Sequence, residues 1–133
     1  MEIEHESMSD VFQKYHLKGF PFDAVIHKFT EPDTGYPHDH PFGFYTFVLK
    51  GSYKETVYDI KHGKVIERHQ TWHKGTSHFV PANLIHKITK LHEVECWTII
   101  IPAHKEQEPA FYNFDNSKIL KKFWYEDEFK EIN

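Results

Sequence analysis

The chain has little of what several protein classes need. Cys96 is its one cysteine among 133 residues, so no internal disulfide can form, and this usage suits the reducing cytoplasm. Arg68 is its one arginine and the net charge is -4, which leaves no basic tract to follow a phosphate backbone; nucleic acid is not an expected partner. No apolar run approaches the roughly 20 residues of a membrane-spanning helix, so no membrane association is expected. The acidic start, Met1 to Ser7, is unlike a signal peptide. Repeats, low-complexity stretches and flexible linkers are also missing, and residues 1–133 read as one domain of ordinary size.

Aromatic residues and histidine are abundant. Twelve Phe, seven Tyr and three Trp favour strands, and so an all-β class. Short β-type segments fall at 24–29, 42–49, 53–60, 65–72, 77–80, 86–91, 96–101 and 110–114. Between them stand turn signals such as Gly51-Ser52, His62-Gly63 and His73 to Thr76, a spacing that suggests a sandwich or barrel with its core at about 24–115. Two helices are expected outside that core. A short N-terminal one covers 9–18, with Ser9 as N-cap and Gly19 as a left-handed stop. A C-terminal one covers 117–129, where Ile119, Leu120, Phe123 and Trp124 recur at helical spacing; it would pack on the outside or form a homodimer contact.

Of the 12 histidines, His38 and His40 carry the clearest chemistry. On a strand, residues two apart face the same side, so both rings can reach one ion. His86 follows another strand and the turn Pro81-Ala-Asn-Leu-Ile85. Neutral imidazoles suit divalent transition metals. Alone, a His-x-His in a histidine-rich chain also reads as a pair of exposed strand residues.

The stretch resembles the first motif of the cupin superfamily: His-x-His, three or four residues, Glu, six residues, Gly. His38, His40 and Gly51 fall in register, and the Glu position is held by Phe44. The second cupin motif is Gly, five residues, Pro-x-Gly, two residues, His. It is matched by Gly75, Pro81 and His86, with Asn83 in place of the second Gly; a left-handed backbone is expected there, which Asn tolerates. The resemblance implies a cupin-type double-stranded β-helix, or jelly-roll barrel. It also implies one divalent ion on His38, His40 and His86, with Fe(II) foremost and Zn, Ni or Mn as alternatives. Because Phe44 supplies no carboxylate, such an ion would keep its charge and attract a small anionic ligand.

His38-Asp39-His40, Gly51 to Thr56 and Leu84 to Ile88 also resemble the core of the thiol dioxygenases, which are three-histidine cupins that oxidise a thiol with Fe(II) and O₂. The resemblance is one of scaffold. Their crosslinked cysteine has no equivalent near Phe44 or Tyr45, their catalytic tyrosine falls near Ile100, its supporting histidine near Thr98, and their carboxylate-binding arginine has no counterpart. A group of small bacterial and phage cupins is similar in His38 to Pro41, in Gly51 to Glu55 and in Trp97-Thr98. That similarity brings no activity with it.

Two further residues are catalytic candidates. Glu55 shares a strand face with Tyr53 and Val57, where it could take a proton or orient a ligand histidine; a surface salt bridge with Lys54 or Lys50 is the alternative. His27 shares a face with Val25 and Phe29, and points into the barrel either beside the metal or as an ordinary core residue. Asp39 faces away from its neighbours and suits turn stabilisation before Pro41. Phe42, Phe44, Phe47, Phe79 and Trp97 are candidate pocket walls, His78 is a weak further candidate, and Cys96 reads as a buried neutral thiol. The leading function is a metal-dependent, dioxygenase-like oxidoreductase acting on a small anion. The alternatives are a sugar-nucleotide isomerase or epimerase using histidine bases, and a non-catalytic ligand-binding module.

Overall fold

The computed structural model describes residues 2–115 and 117–132. Twelve strands run through them: β1 (Glu2–Ser9), β2 (Phe12–Lys18), β3 (Ala24–Phe29), β4 (Phe42–Lys50), β5 (Ser52–Lys61), β6 (Lys64–His73), β7 (Ser77–Val80), β8 (His86–Leu91), β9 (Cys96–Lys105), β10 (Ala110–Asp115), β11 (Lys118–Phe123) and β12 (Lys130–Ile132). There is no helix among the described residues, and none long and apolar enough to cross a membrane.

One sheet has the order β1-β2-β3-β9-β4-β7. Two three-stranded sheets, β6-β5-β8 and β10-β11-β12, make the opposite layer. They are joined by the segment at 37–40, which bridges to both sides. His38 exchanges both backbone hydrogen bonds with His86 at 3.0 Å, while Asp39 N donates to Ala110 O and Tyr112 N to Pro37 O. The His-x-His segment is therefore an extended seam in the second layer, bridged to the otherwise open edges of β8 and β10.

Strand alternation puts the core between the layers. On β4, Phe44, Thr46 and Val48 are buried, while Tyr45, Phe47 and Leu49 are exposed. On β9, Cys96, Thr98 and Ile100 point inward. The first layer's outer face carries a registered apolar row, Tyr15, Ile26, Ile99 and Phe47, with Tyr45 and Phe79 beside it. Turn chemistry follows the sequence at the β5–β6 hairpin, where His62 (φ 52) and Gly63 (φ 73) both take the left-handed backbone that a tight hairpin needs. At Gly51 (φ 78) an added Cβ would lie 2.5 Å from Glu95 O, so no side chain fits.

Three expectations are corrected. Residues 9–18 form no helix but the turn and second strand of a hairpin. Ser9 Oγ accepts from Val11 N at 3.2 Å, a turn bond rather than a helix cap. β2 covers the otherwise open edge of β3, and the Phe12 and Phe29 rings stack at 4.5 Å. The tail likewise forms β11 and β12 on the edge of β10. Ile119 is buried opposite Phe114, and Trp124 is exposed with its Nε1 donating to Glu108 at 2.7 Å. In both segments an unpaired sheet edge outweighs a weak helical period. Asn83 is the third. His62 and Ser117 are the non-glycine residues of positive φ among those described. Asn83 instead sits inside a turn closed by Leu84 N donating to Pro81 O, which needs ordinary negative φ values.

Candidate metal centre

The seam segment at 37–40 sets the site. His38 lies directly opposite His86, and His40 is two residues further along the same face. All three rings therefore leave the sheet on the side of the first layer. Their ligating nitrogens lie within 4.8 Å of one another. His40 Nε2 and His86 Nε2 are 3.3 Å apart. Two nitrogens bound about 2.0–2.1 Å from one tetrahedral ion would stand about 3.3–3.4 Å apart, so this spacing fits a shared metal.

The outer nitrogens fix the tautomers. His86 Nδ1 donates to Glu55 Oε2 at 3.1 Å, because an ionised carboxylate can only accept. His38 Nδ1 donates to the Tyr36 carbonyl at 3.3 Å. Each ring then presents an Nε2 lone pair, as metal ligation requires. Burial favours the neutral form of His38 and His40. It is the main cause pushing His40 down to about 2, with His86 adding to it, and it also lowers His38. His40 Nδ1 is buried without a hydrogen-bond partner. The donor set of three convergent imidazoles, two of them oriented from behind, fits a divalent transition metal.

A cavity of about 410 Å³ opens in front of the trio. Glu55 lines it on β5 and is 4 % exposed, on the same inward face as Tyr53 and Val57. It makes no salt bridge with Lys50, which pairs with Glu95 instead. His27 lines it from β3. Burial first, then the nearby Lys14 charge, pushes His27 down to about 3, and its Nε2 is buried without a partner. Phe44, at the position where cupins usually carry Glu, packs edge-on against His40 with ring centres 5.0 Å apart. The cavity also holds Thr98 and Ile100, the positions at which the thiol dioxygenases carry their histidine and tyrosine.

Other candidates stand elsewhere. Asp39 points away from the metal side: Oδ1 accepts from Ala110 N at 2.7 Å and Oδ2 from the Tyr112 hydroxyl at 2.9 Å. It clamps β10 to the seam, and burial raises its carboxyl above the usual range. Phe47 and Phe79 are exposed on the outer face, and Trp97 stacks on Tyr15 there, so none of the three is a pocket wall. Phe42 packs against the cluster of Phe44, Val80 and Ile100 without lining the cavity. His78 stacks on Trp72 with ring centres 3.5 Å apart, away from the trio. Cys96 is buried, which pushes its thiol up to about 11. Sequence reasoning missed Phe12, Lys14, Asp33 and Phe111, which also line the cavity. Reading 12–18 as a strand paired with 24–29 would have placed Lys14 beside His27.

No family model and no curated protein sequence matches the chain. Solved structures share its fold. The Fe(II) form of HppE superposes with a TM-score of 0.60 at 16% identity, over 77% of this chain and 57% of the other. Hydroxypropylphosphonic acid epoxidase from S. wedmorenis gives 0.57 at 14% identity, over 77% and 56%. Bacillus subtilis oxalate decarboxylase, described for its Mn(II) centres, gives 0.61 at 13% identity, over 81% and 30%. The chain thus spans just over half the length of the first two and under a third of the decarboxylase. At these identities the likeness is one of fold.

Proposed function

We propose that this small cupin-fold, metal-binding domain is an enzyme that acts on a small anionic molecule, with one divalent ion on His38, His40 and His86. The observation that carries it is the convergence of three imidazoles, two of them held through Nδ1 by Glu55 and Tyr36. Fe(II) is the favoured metal and oxidation by O₂ the favoured reaction. Iron and manganese in the similar structures support a redox-capable ion. When bound, such an ion would supply Lewis acidity and an electron source for O₂.

The protein's own groups have separate tasks. Glu55 holds His86 through Nδ1, keeps its tautomer and places a carboxylate at the cavity wall that can accept a proton. His27 stays neutral at neutral pH, far from the pKa that suits a general base. Its part is to orient a bound molecule by hydrogen bonding at Nε2. Phe44, Phe29, Ile100 and Phe111 give apolar walls that exclude water, and the volume suits a small molecule. A sugar nucleotide is disfavoured, since Arg68 is tied to Asp59 on the β5–β6 hairpin and no arginine lines the cavity. The expected homodimer would use the apolar row around Phe47 on the outer face, since a patch of this kind marks an interaction surface.

Metal analysis of protein purified without a histidine tag tests the centre. We expect about one ion per chain, lost in His86→Ala. Oxygen uptake is then measured with small carboxylates and thiols. Absence of a bound or bindable ion sinks the reading. A bound ion with ligand affinity but no turnover favours a non-catalytic binding module.

A further inference from the structure

We propose that Lys14 and His27 form a second anion-binding point in the cavity, so that the preferred ligand carries two carboxylate-like groups, one at the metal and one at Lys14. The proposal rests on the metal reading above and adds a residue that selects the substrate.

Three charged side chains besides histidine line the cavity: Lys14, Asp33 and Glu55. Both carboxylates are engaged. Asp33 Oδ2 accepts from Ile88 N at 2.8 Å, and Glu55 Oε2 accepts from His86 Nδ1. Lys14 is not. No carboxylate among the described residues lies within salt-bridge distance of it. Glu6, opposite in the β1–β2 register, gives its carboxylate to His16 at 2.9 Å. The Lys14 Nζ rests 5.4 Å from the centre of the Phe12 ring. An ammonium with an aromatic face on one side and no carboxylate in direct contact is poised to accept an anion.

Placement agrees. Lys14 is the register partner of His27, and His27 of Thr98, so the three form one inward row across β2, β3 and β9. The Lys14 charge stands close enough to His27 to contribute to lowering it. His27 Nε2, buried and unpartnered, gives the row a second polar atom to offer a ligand. Met8 and Phe111 are the exposed lining residues, and Lys14 is half-buried beside Phe12. The cavity that holds Lys14 and the trio also has apolar walls, Phe29, Phe44, Ile88 and Ile100 among them. A ligand matching this arrangement has two anionic ends and an apolar middle.

The test uses Co(II)-loaded full-length chain, whose visible absorption reports binding at the metal. Succinate, glutarate and adipate are each titrated against the monocarboxylate of equal chain length. At least one dicarboxylate is expected to bind tenfold or more tightly than its partner. Lys14→Met should abolish the preference while leaving monocarboxylate affinity unchanged, and Lys14→Arg should keep it. Equal binding of every pair to the native chain, or a preference that survives Lys14→Met, overturns the proposal. A second readout separates it from the metal reading. In chelator-treated protein, the His27 ring signals in carbon–proton NMR should move on adding the preferred dicarboxylate, and should not move in Lys14→Met. If Co(II) fails to bind but this His27 response persists, the anion point stands and the metal reading falls. If Co(II) binds and His27 does not respond, the anion point falls.

Discussion

Acidification should destabilise the fold through His27, and the size of the effect follows from its surroundings. The ring packs edge-on against Phe12 and Phe29, and burial pushes its pKa down to about 3. In the unfolded chain the value returns to about 6.5. The folded pKa is depressed, so this contribution to stability is complete above about pH 6.5 and is lost as pH falls towards 3. Between those values the unfolded chain binds a proton that the folded chain refuses. Each pH unit in the window costs about 1.4 kcal/mol, so at pH 5 the loss from this one group is about 2 kcal/mol. His27→Leu removes the titrating group and keeps an apolar side chain of similar bulk. Urea unfolding of both proteins at pH 7.5 and pH 5, with chelator present, gives four stabilities. His38 and His40 are present in both proteins, so most of their contribution drops out of the comparison. The native chain should lose about 2 kcal/mol more than the variant between the two pH values, a midpoint difference of about 1 M urea. Equal losses would show that His27 is protonated or well solvated in the fold, and the reasoning would fail.

Three other outcomes are expected. Glu55→Gln keeps the size of the side chain but removes the charge that holds His86 Nδ1–H; metal affinity should fall by about 10–100-fold without vanishing, as measured by competition with a chelating dye. Phe44→Glu restores a carboxylate beside His40 but buries it near Val80 and Ile100; metal-free protein should lose about 3 kcal/mol, and added Zn(II) should raise its melting temperature by more than that of the native chain. Asp39→Ala leaves the Ala110 N–H and the Tyr112 hydroxyl without their acceptor; urea unfolding should show a loss of about 3 kcal/mol, whereas a change below 1 kcal/mol would mean that water replaces the carboxylate.

Some of this protein could be read from residue order, because it depends on period and spacing. Eight core strands followed from alternation and turn residues, and the observed β3, β7 and β8 have the expected limits. The two-residue spacing of His38 and His40 already put both rings on one side of a strand, and the resemblance of Gly75, Pro81 and His86 to the second cupin motif implied the third ring. What lay beyond reach was pairing between distant segments. The segments 9–18 and 117–129 carry no decisive period, and each became a strand because β3 and β10 offered unpaired edges. The bond that gives Glu55 its position joins residues 31 apart in the chain, and the row from Lys14 through His27 to Thr98 joins three strands. Local sequence sets which face a side chain takes, since that is a matter of backbone period. Which side chains meet across a cavity is decided by sheet register, and register is settled by the summed burial and hydrogen bonding of the whole fold.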